Sequence, residues 1–230
     1  MKRQHRDDGE HWLSVSDMMS GLMVIFLFIA ISYMLEVTKE RNQLLEIAVT
    51  YEKTKELIYQ QLYKEFEKDL PLWNAEIDRE NLAIRFQQPD VLFNVGEAVL
   101  KEQFKTILAD FFPRYIKVLT QFTADIEEIR IEGHTSSEWN AEQVSENDSY
   151  FLNMALSQDR TRATLEYCLL LPDIENNRAW IKRILTANGL SSSKPVLLDN
   201  GQEDTVHSRR VEFKVKTNSE KQILTILKRK

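Results

Sequence analysis

A chain of 230 residues with 43% hydrophobic side chains can bury one core of moderate size and still carry accessory segments. A formal net charge of −6 and the lack of a concentrated basic face argue against direct nucleic-acid binding, which needs clustered cations against phosphates. The single cysteine, Cys168, excludes an internal disulfide and a thiolate cluster, and reads as a small buried apolar residue.

Residues 1–11 hold Lys2, Arg3 and Arg6 ahead of the stretch WLSVSDMMSGLMVIFLFIAISYML at 12–35. Residues 13–35 are long enough to cross a bilayer about 30 Å thick at about 1.5 Å per residue, and their only charged side chain is Asp17. One transmembrane helix follows. A cleaved signal peptide fits less well, because Tyr33, Met34 and Leu35 run into charged helix-forming sequence with no A-x-A-like site. The cations before the span, against Lys39 and Arg41 diluted by Glu36 and Glu40 behind it, favour a cytoplasmic N-terminus with the bulk of the chain outside.

Asp17 is the residue that needs a reason, since a carboxylate in hydrocarbon costs about 2.5–3.5 kcal/mol. Helical spacing puts Ser14, Asp17, Ser20, Gly21 and Val24 on one small, polar side that continues toward Phe28 and Ser32. Met18, Met19, Leu22, Met23, Ile25, Phe26 and Ile29 cover the rest, which suits lipid or a broad protein contact. Two readings stay open. The aspartate caps a turn among the headgroups, or it is a protonatable site. In the second case burial penalises the ionised form, so the carboxyl loads a proton, crosses a barrier neutral and releases it where water returns. Moving one charge through about 100 mV yields ~2.3 kcal/mol, enough to bias a conformational step in a partner.

Residues 36–70 are rich in Glu, Lys, Gln and Leu and contain no glycine; Leu44, Ile47, Tyr51, Ile58 and Leu62 recur along them. This predicts a continuous helical linker, with Thr54 interrupting a strict heptad. A loose parallel dimer, a packed amphipathic segment and a solvated spacer are all compatible with it. Leu70-Pro71 marks its expected end. Over 71–230, NLAIRF reads as a strand, AVLKEQFKTILADFFPRYIKVLTQF as a helix with a proline break, and IEEIRIEG as a strand. YFLNMALSQDRTRATLEYCLLL is predicted helical, NNRAWIKRILTANGL as a helix closed by Gly189, and KPVLLD and SRRVEFKVK as late strands. The fold class expected is α/β, with helices packed on a small sheet.

Two resemblances sharpen these expectations. WLSVSDMMSGLMVIFLFI resembles the single span of MotB-type subunits of proton-driven motors, in which an aspartate early in the helix accepts the translocated proton. By position Asp17 matches that aspartate and Trp12 the aromatic before it, so Trp12, Ser14, Ser20 and Gly21 are the implied channel face. From about residue 81 to 217 the chain is similar to the OmpA C-terminal, peptidoglycan-binding family. VLFNVGEAVL, with Phe93, Gly96 and Leu100, resembles its opening motif; IRIEGHTSS its Gly-His-Thr-Asp strand end; NMALSQDRT its Asn-x-x-Leu-Ser-x-x-Arg; and SRRVEF its closing strand. In that family the aspartate and the arginine bind the ionic ends of a diaminopimelate side chain. The resemblance therefore implies Arg160, Asn153, Leu156, Thr135 and Ser136 as wall-binding positions. Ser136 stands where the family has its aspartate, so a ligand ammonium loses its partner while Arg160 still grips a carboxylate. Glu138 is the nearest substitute, in a loop longer than the usual connection.

Other residues read more plainly. His134 lacks a second histidine at ligand spacing, and His5, His11 and His207 are scattered, so no metal is expected. Ser191, Ser192 and Ser193 read as linker, and no phosphate loop is present. Arg209 and Arg210 begin a strand and so point to opposite faces, one toward the core edge and the other toward the ligand loop.

A protonatable span followed by a wall module is the layout of a stator B subunit. The resemblance implies a homodimer in the bacterial inner membrane, passing its helices through a ring of MotA-like, ZorA-type multi-span subunits and held to peptidoglycan. Protons are the coupling ion, with no other cofactor. The GHTSSEW loop, DSYFLNMALSQDRT and the compact chain look more like the B subunit of Zorya anti-phage defence than a flagellar stator protein. A flagellar stator subunit and a passive wall anchor are the alternatives, and no residue cluster supports a soluble enzyme.

Overall fold

The structure is a computed structural model that describes residues 7–87, 89–139 and 144–218. It divides into two compact units, Met1–Thr50 and Tyr51–Lys230. Helix α1 (Asp7–Phe66) supplies the first unit and the opening of the second. Within it, Val15–Glu46 is long and apolar enough to cross a membrane, and Met18, Met23, Phe26 and Phe28 are all exposed on it. Ser20 Oγ donates to Ser16 O at 2.8 Å and Thr38 Oγ1 to Met34 O at 2.7 Å, so both hydroxyls are satisfied by the helix itself.

The second unit is a sheet with helices on one face. In chain order after α1 come β1 (Ala75–Asp78), β2 (Ala83–Phe86), the short α2 (Pro89–Leu92), α3 (Glu102–Leu119), β3 (Ile126–His134), α4 (Glu146–Leu170), α5 (Arg178–Ile184), β4 (Leu185–Gly189), the short α6 (Thr205–Ser208) and β5 (Arg210–Thr217). The strand order is β1-β2-β5-β3-β4, with β3 and β4 parallel and every other pair antiparallel. A parallel pair needs a crossover, which α4 and α5 provide. Alternation along the strands sends Ile129, Ile131, Val211, Phe213, Val215, Ile84 and Phe86 into the core. There Phe213 and Phe86 meet the ring of Phe111 at centroid distances of 5.0 and 5.2 Å, and Phe66 of α1 meets it at 5.2 Å.

The second unit takes in part of the stretch expected as linker. Ile58, Leu62 and Phe66 are fully buried and Leu70 nearly so, which favours the packed amphipathic reading and places the start of the compact unit at Tyr51 rather than 71. The side chains of Ile47 and Tyr51 lie outside the described residues. Three further expectations are corrected. Pro113 does not break its helix: α3 continues through it, because Phe111, Phe112, Tyr115 and Ile116 around it are buried together and outweigh the cost of about 3 kcal/mol for a proline inside a helix. NNRAWIKRILTANGL is half helix and half strand, since residues 185–189 pair in parallel with β3, Leu185 opposite Ile129 and Ala187 opposite Ile131. KPVLLD forms only an isolated bridge from Leu197 to Glu203. The α/β architecture stands.

Candidate functional site

In the first unit, Asp17 is exposed on α1, three residues before Ser20 and one turn before Gly21. A Cβ on Gly21 would meet nothing within 4 Å, so this side of the helix is a shallow notch into which another helix can come close. Ser20 lies on the same side with its hydroxyl already held by Ser16 O. The side chains of Trp12 and Ser14 lie outside the described residues.

In the second unit, a pocket forms where β3 ends, β5 begins and α4 crosses behind them. It is lined by Leu92, Phe93, Gly133, His134, Ser157, Arg160, Arg209, Arg210 and Val211. The close approach of α4 has a visible cause. Its buried face is Ser149, Asn153, Ser157, Thr161, Thr164 and Cys168, all small or polar, and it packs on glycines of the sheet. A Cβ on Gly133 would lie 2.6 Å from Thr161 Cγ2, and one on Gly189 would lie 2.3 Å from Gln158 N. Gly189, expected to close a helix, is instead the contact residue of β4. Gln158 fastens that edge strand, accepting from Gly189 N at 2.8 Å and donating to Ala187 O at 3.3 Å. Ser145 caps α4 by accepting from Asp148 N at 3.2 Å.

Of the residues expected to bind the wall, Arg160 lines the pocket, while Asn153, Leu156, Thr135 and Ser136 are not part of its lining. Arg160 donates from Nε to Glu97 O at 2.9 Å and from Nη2 to Asn94 O at 3.0 Å, and its guanidinium lies 4.9 Å from the Phe93 ring. Burial, with Arg209 beside it, pulls its pKa down to about 10. It remains a cation at neutral pH. Asn153 is buried and ties down the turn after β3, donating to Ser136 O at 3.1 Å and Glu138 O at 3.2 Å. Ser149 Oγ adds a bond to Ser137 O at 2.7 Å, and Glu203 accepts from Ser137 N at 3.2 Å. Ser136 and Thr135 are buried in this turn, with Thr135 N bonded to Ser191 O at 3.0 Å. Leu156 is half-buried on α4 and does not line the pocket. Glu138 is exposed, and only its carbonyl is engaged by Asn153.

Sequence reasoning left His134, Ser157 and Gly133 out of the site and only half placed Arg209. Arg210 opens the central strand β5 and is held within the sheet unit: it donates to Glu212 Oε1 at 2.6 Å and to Ser208 O at 3.1 Å. Arg209 belongs to the pocket, and its Nε is buried with no partner among the described residues. His134 Nε2 stands 3.8 Å from both Glu132 Oε2 and Glu212 Oε1, beyond hydrogen-bond range. Glu132, His134 and Glu212 bring potential ligand atoms within 4.8 Å of one another. However, Glu212 Oε1 already accepts from Arg210 and from Arg85 at 3.0 Å, so two guanidinium groups occupy that carboxylate, and Arg130 lies 3.9 Å from Glu132. The chemistry is that of an ion-pair network rather than of a cation cage.

No protein-family model matches the chain. Among solved structures, a MotB-like protein from Desulfovibrio vulgaris is similar with a TM-score of 0.50 and 22% identity, over 71% of this chain and 91% of its own, a likeness that shows the fold of the sheet unit. The Zorya protein ZorB of Escherichia coli is 50% identical over 220 residues, which cover 96% of this chain and 93% of that protein. Identity at that level runs through both the apolar helix and the sheet unit, so the two halves are inherited together: the chain belongs to the ZorB family of Zorya proteins.

Proposed function

We propose that this chain is the B subunit of a proton-driven, stator-like membrane motor of Zorya anti-phage defence, fixed to peptidoglycan by its sheet unit. Asp17 takes up and releases the proton. Two copies pass their helices through a ring of MotA-like, ZorA-type subunits, with the N-terminus in the cytoplasm, the helix in the inner membrane and the sheet unit in the periplasm. Exposed Leu45 and Val49, one turn apart on α1, supply an apolar contact for the second copy.

The observation that carries the reading is the setting of Asp17. It is the only charged side chain within 13–35, it is exposed on the helix, and Gly21 leaves open space one turn away. A carboxylate in that place has no purpose in a simple tether, and one neutralised by a proton crosses hydrocarbon without the penalty of charge. Family membership favours defence over flagellar use.

The test is proton flux and phage protection for wild type and Asp17→Asn in cells carrying the neighbouring genes, with assembly checked in parallel. Asparagine keeps the size and cannot cycle a proton. Loss of both activities with assembly intact is the expected result; survival of flux and protection makes the protein a passive anchor instead.

A further inference from the structure

The pocket around Arg160 is closed, and the chain itself closes it. Residues 94–97 form the crest of a short strap whose feet are held by the Phe93–Leu100 bridge and by Lys101 N bonding Leu92 O at 3.1 Å. The crest turns through Gly96, whose φ of +73° lies in the left-handed region, and is braced by Asn94 Nδ2 on Glu97 Oε2 at 2.8 Å. Its carbonyls Asn94 O and Glu97 O lie on Nη2 and Nε of Arg160. That edge of a guanidinium is the one that matches the two oxygens of a carboxylate. The space left in the pocket is about 10 Å3, at or below what a single water requires.

Two further observations point to a missing anion. Arg209 lines the same pocket with a buried Nε that has no partner among the described residues, although its neighbour Arg210 donates to Glu212 Oε1 and to Ser208 O. Buried Thr135 Oγ1, in the adjoining turn, also lacks one among the described residues. Buried donors are normally satisfied, so these mark a place for an acceptor that enters from outside. The strap is built to yield. Leu92, Phe93 and Leu100 are buried at its feet, whereas Asn94, Val95, Gly96 and Glu97 are exposed, so lifting the crest removes no apolar side chain from the core.

We propose that the crest 94–97 is a gate: its two carbonyls occupy the place of a ligand carboxylate on Arg160, and lifting it opens a pocket where Arg160 and Arg209 hold that carboxylate together. The ligand class is a carboxylate-bearing end of a wall peptide, which rests on the wall-anchor reading above. Wall attachment is then conditional, because ligand and crest compete for one guanidinium edge. The apparent affinity of the resting protein is lowered by the fraction of molecules that are open.

The experiment uses the full chain in detergent, with retention on purified peptidoglycan and binding of soluble muropeptides as readouts. Thermal melts check that each variant is folded. Asn94→Ala removes the brace, and Gly96→Ala strains the closed turn without a clash, since nothing lies within 4 Å of its Cβ position. Each is expected to tighten binding, Gly96→Ala by about fivefold, while Arg160→Ala abolishes it and Arg209→Gln weakens it. In the wild type, muropeptide is expected to speed amide exchange at Glu97, whose N–H bonds Asn94 O at 3.1 Å within the crest, and to leave Lys101 at the foot unchanged, a readout that needs no variant. Unchanged or weaker binding by both strap variants, with exchange unaltered and Arg160→Ala still defective, overturns the gate and leaves wall anchoring in place. Equal retention of Arg160→Ala and wild type removes the wall-anchor reading, and the gate with it.

Discussion

His134 shows how far a single residue departs from its sequence motif. Read as a strand-end landmark, it is in the structure a neutral imidazole that is almost wholly enclosed. Burial, followed by repulsion from Arg210, drives its pKa down to about 3, and the attraction of Glu212 only partly opposes this. The unfolded chain takes up a proton near pH 6.5 that the folded chain refuses. Stability is therefore complete above about pH 6.5 and is lost as pH falls toward 3, at up to ~1.4 kcal/mol per unit. Glu212 adds a loss of its own: burial raises its pKa, but the hydrogen bond and charge of Arg210 outweigh this and hold it below the usual range. That loss begins only below about pH 4.5, so the interval from 6.5 to 5 isolates the histidine. Melts followed by tryptophan fluorescence, with Trp73 packed on Phe66 and Phe111, are expected to fall across that interval in wild type and to stay nearly level in His134→Gln. Equal slopes would remove His134 as the cause. Arg160 was legible because a motif of fixed spacing carries it. Arg209 was not, because adjacency on a strand says that two side chains diverge and not which loop closes over either one.

At the scale of elements, long periodic segments were legible and short ones were not. The helix at 146–170 was readable although its buried face is hydroxyls and an amide; Thr161 and Thr164 satisfy themselves on Ser157 O at 3.1 Å and Arg160 O at 2.8 Å. Residues 185–189 were misread because LTANG has neither alternation nor β-branched density, and only pairing to β3 makes it a strand. The same tertiary contact decides the role of Gly189. An alanine there places Cβ 2.3 Å from Gln158 N and 2.6 Å from Gln158 Cα, both backbone atoms of a long helix that cannot rotate away. Gly189→Ala is therefore expected to push α4 off β4 and to destabilise the sheet unit by about 1–3 kcal/mol or more. For a domain of this size that lowers Tm by about 2–4 °C per kcal/mol. Gly201→Ala, with open space around its Cβ position but a φ of +80°, is the control for backbone strain alone. A melt no lower for Gly189→Ala than for that control would show that the helix and strand are not pressed together as described.

For the whole molecule, the start of the sheet unit is set by the core and not by the proline at 71. Ile58, Leu62 and Phe66 come from the last turns of α1 and are fully buried against the sheet unit. Arg114 of α3 locks those turns in place, donating from Nε to Glu65 Oε1 at 2.8 Å and from Nη2 to Glu65 O at 2.9 Å and Asp69 Oδ2 at 2.8 Å. Its guanidinium also covers the Phe66 ring at 4.9 Å. Three buried apolar side chains contribute about 1.5–3 kcal/mol each, so together they approach the total stability of about 5–15 kcal/mol that such a domain holds. A fragment covering 51–230 is therefore expected to fold cooperatively, and one covering 71–230 to lose its sharp melt and its protected amides. The comparison needs only two soluble fragments, near-UV circular dichroism and hydrogen exchange. If 71–230 melts cooperatively within a few degrees of 51–230, the end of α1 is a detachable linker, as its charged, glycine-free sequence first suggests. If it does not, the last turns of α1 are a packed layer of the sheet unit rather than a linker, because Ile58, Leu62 and Phe66 complete its core.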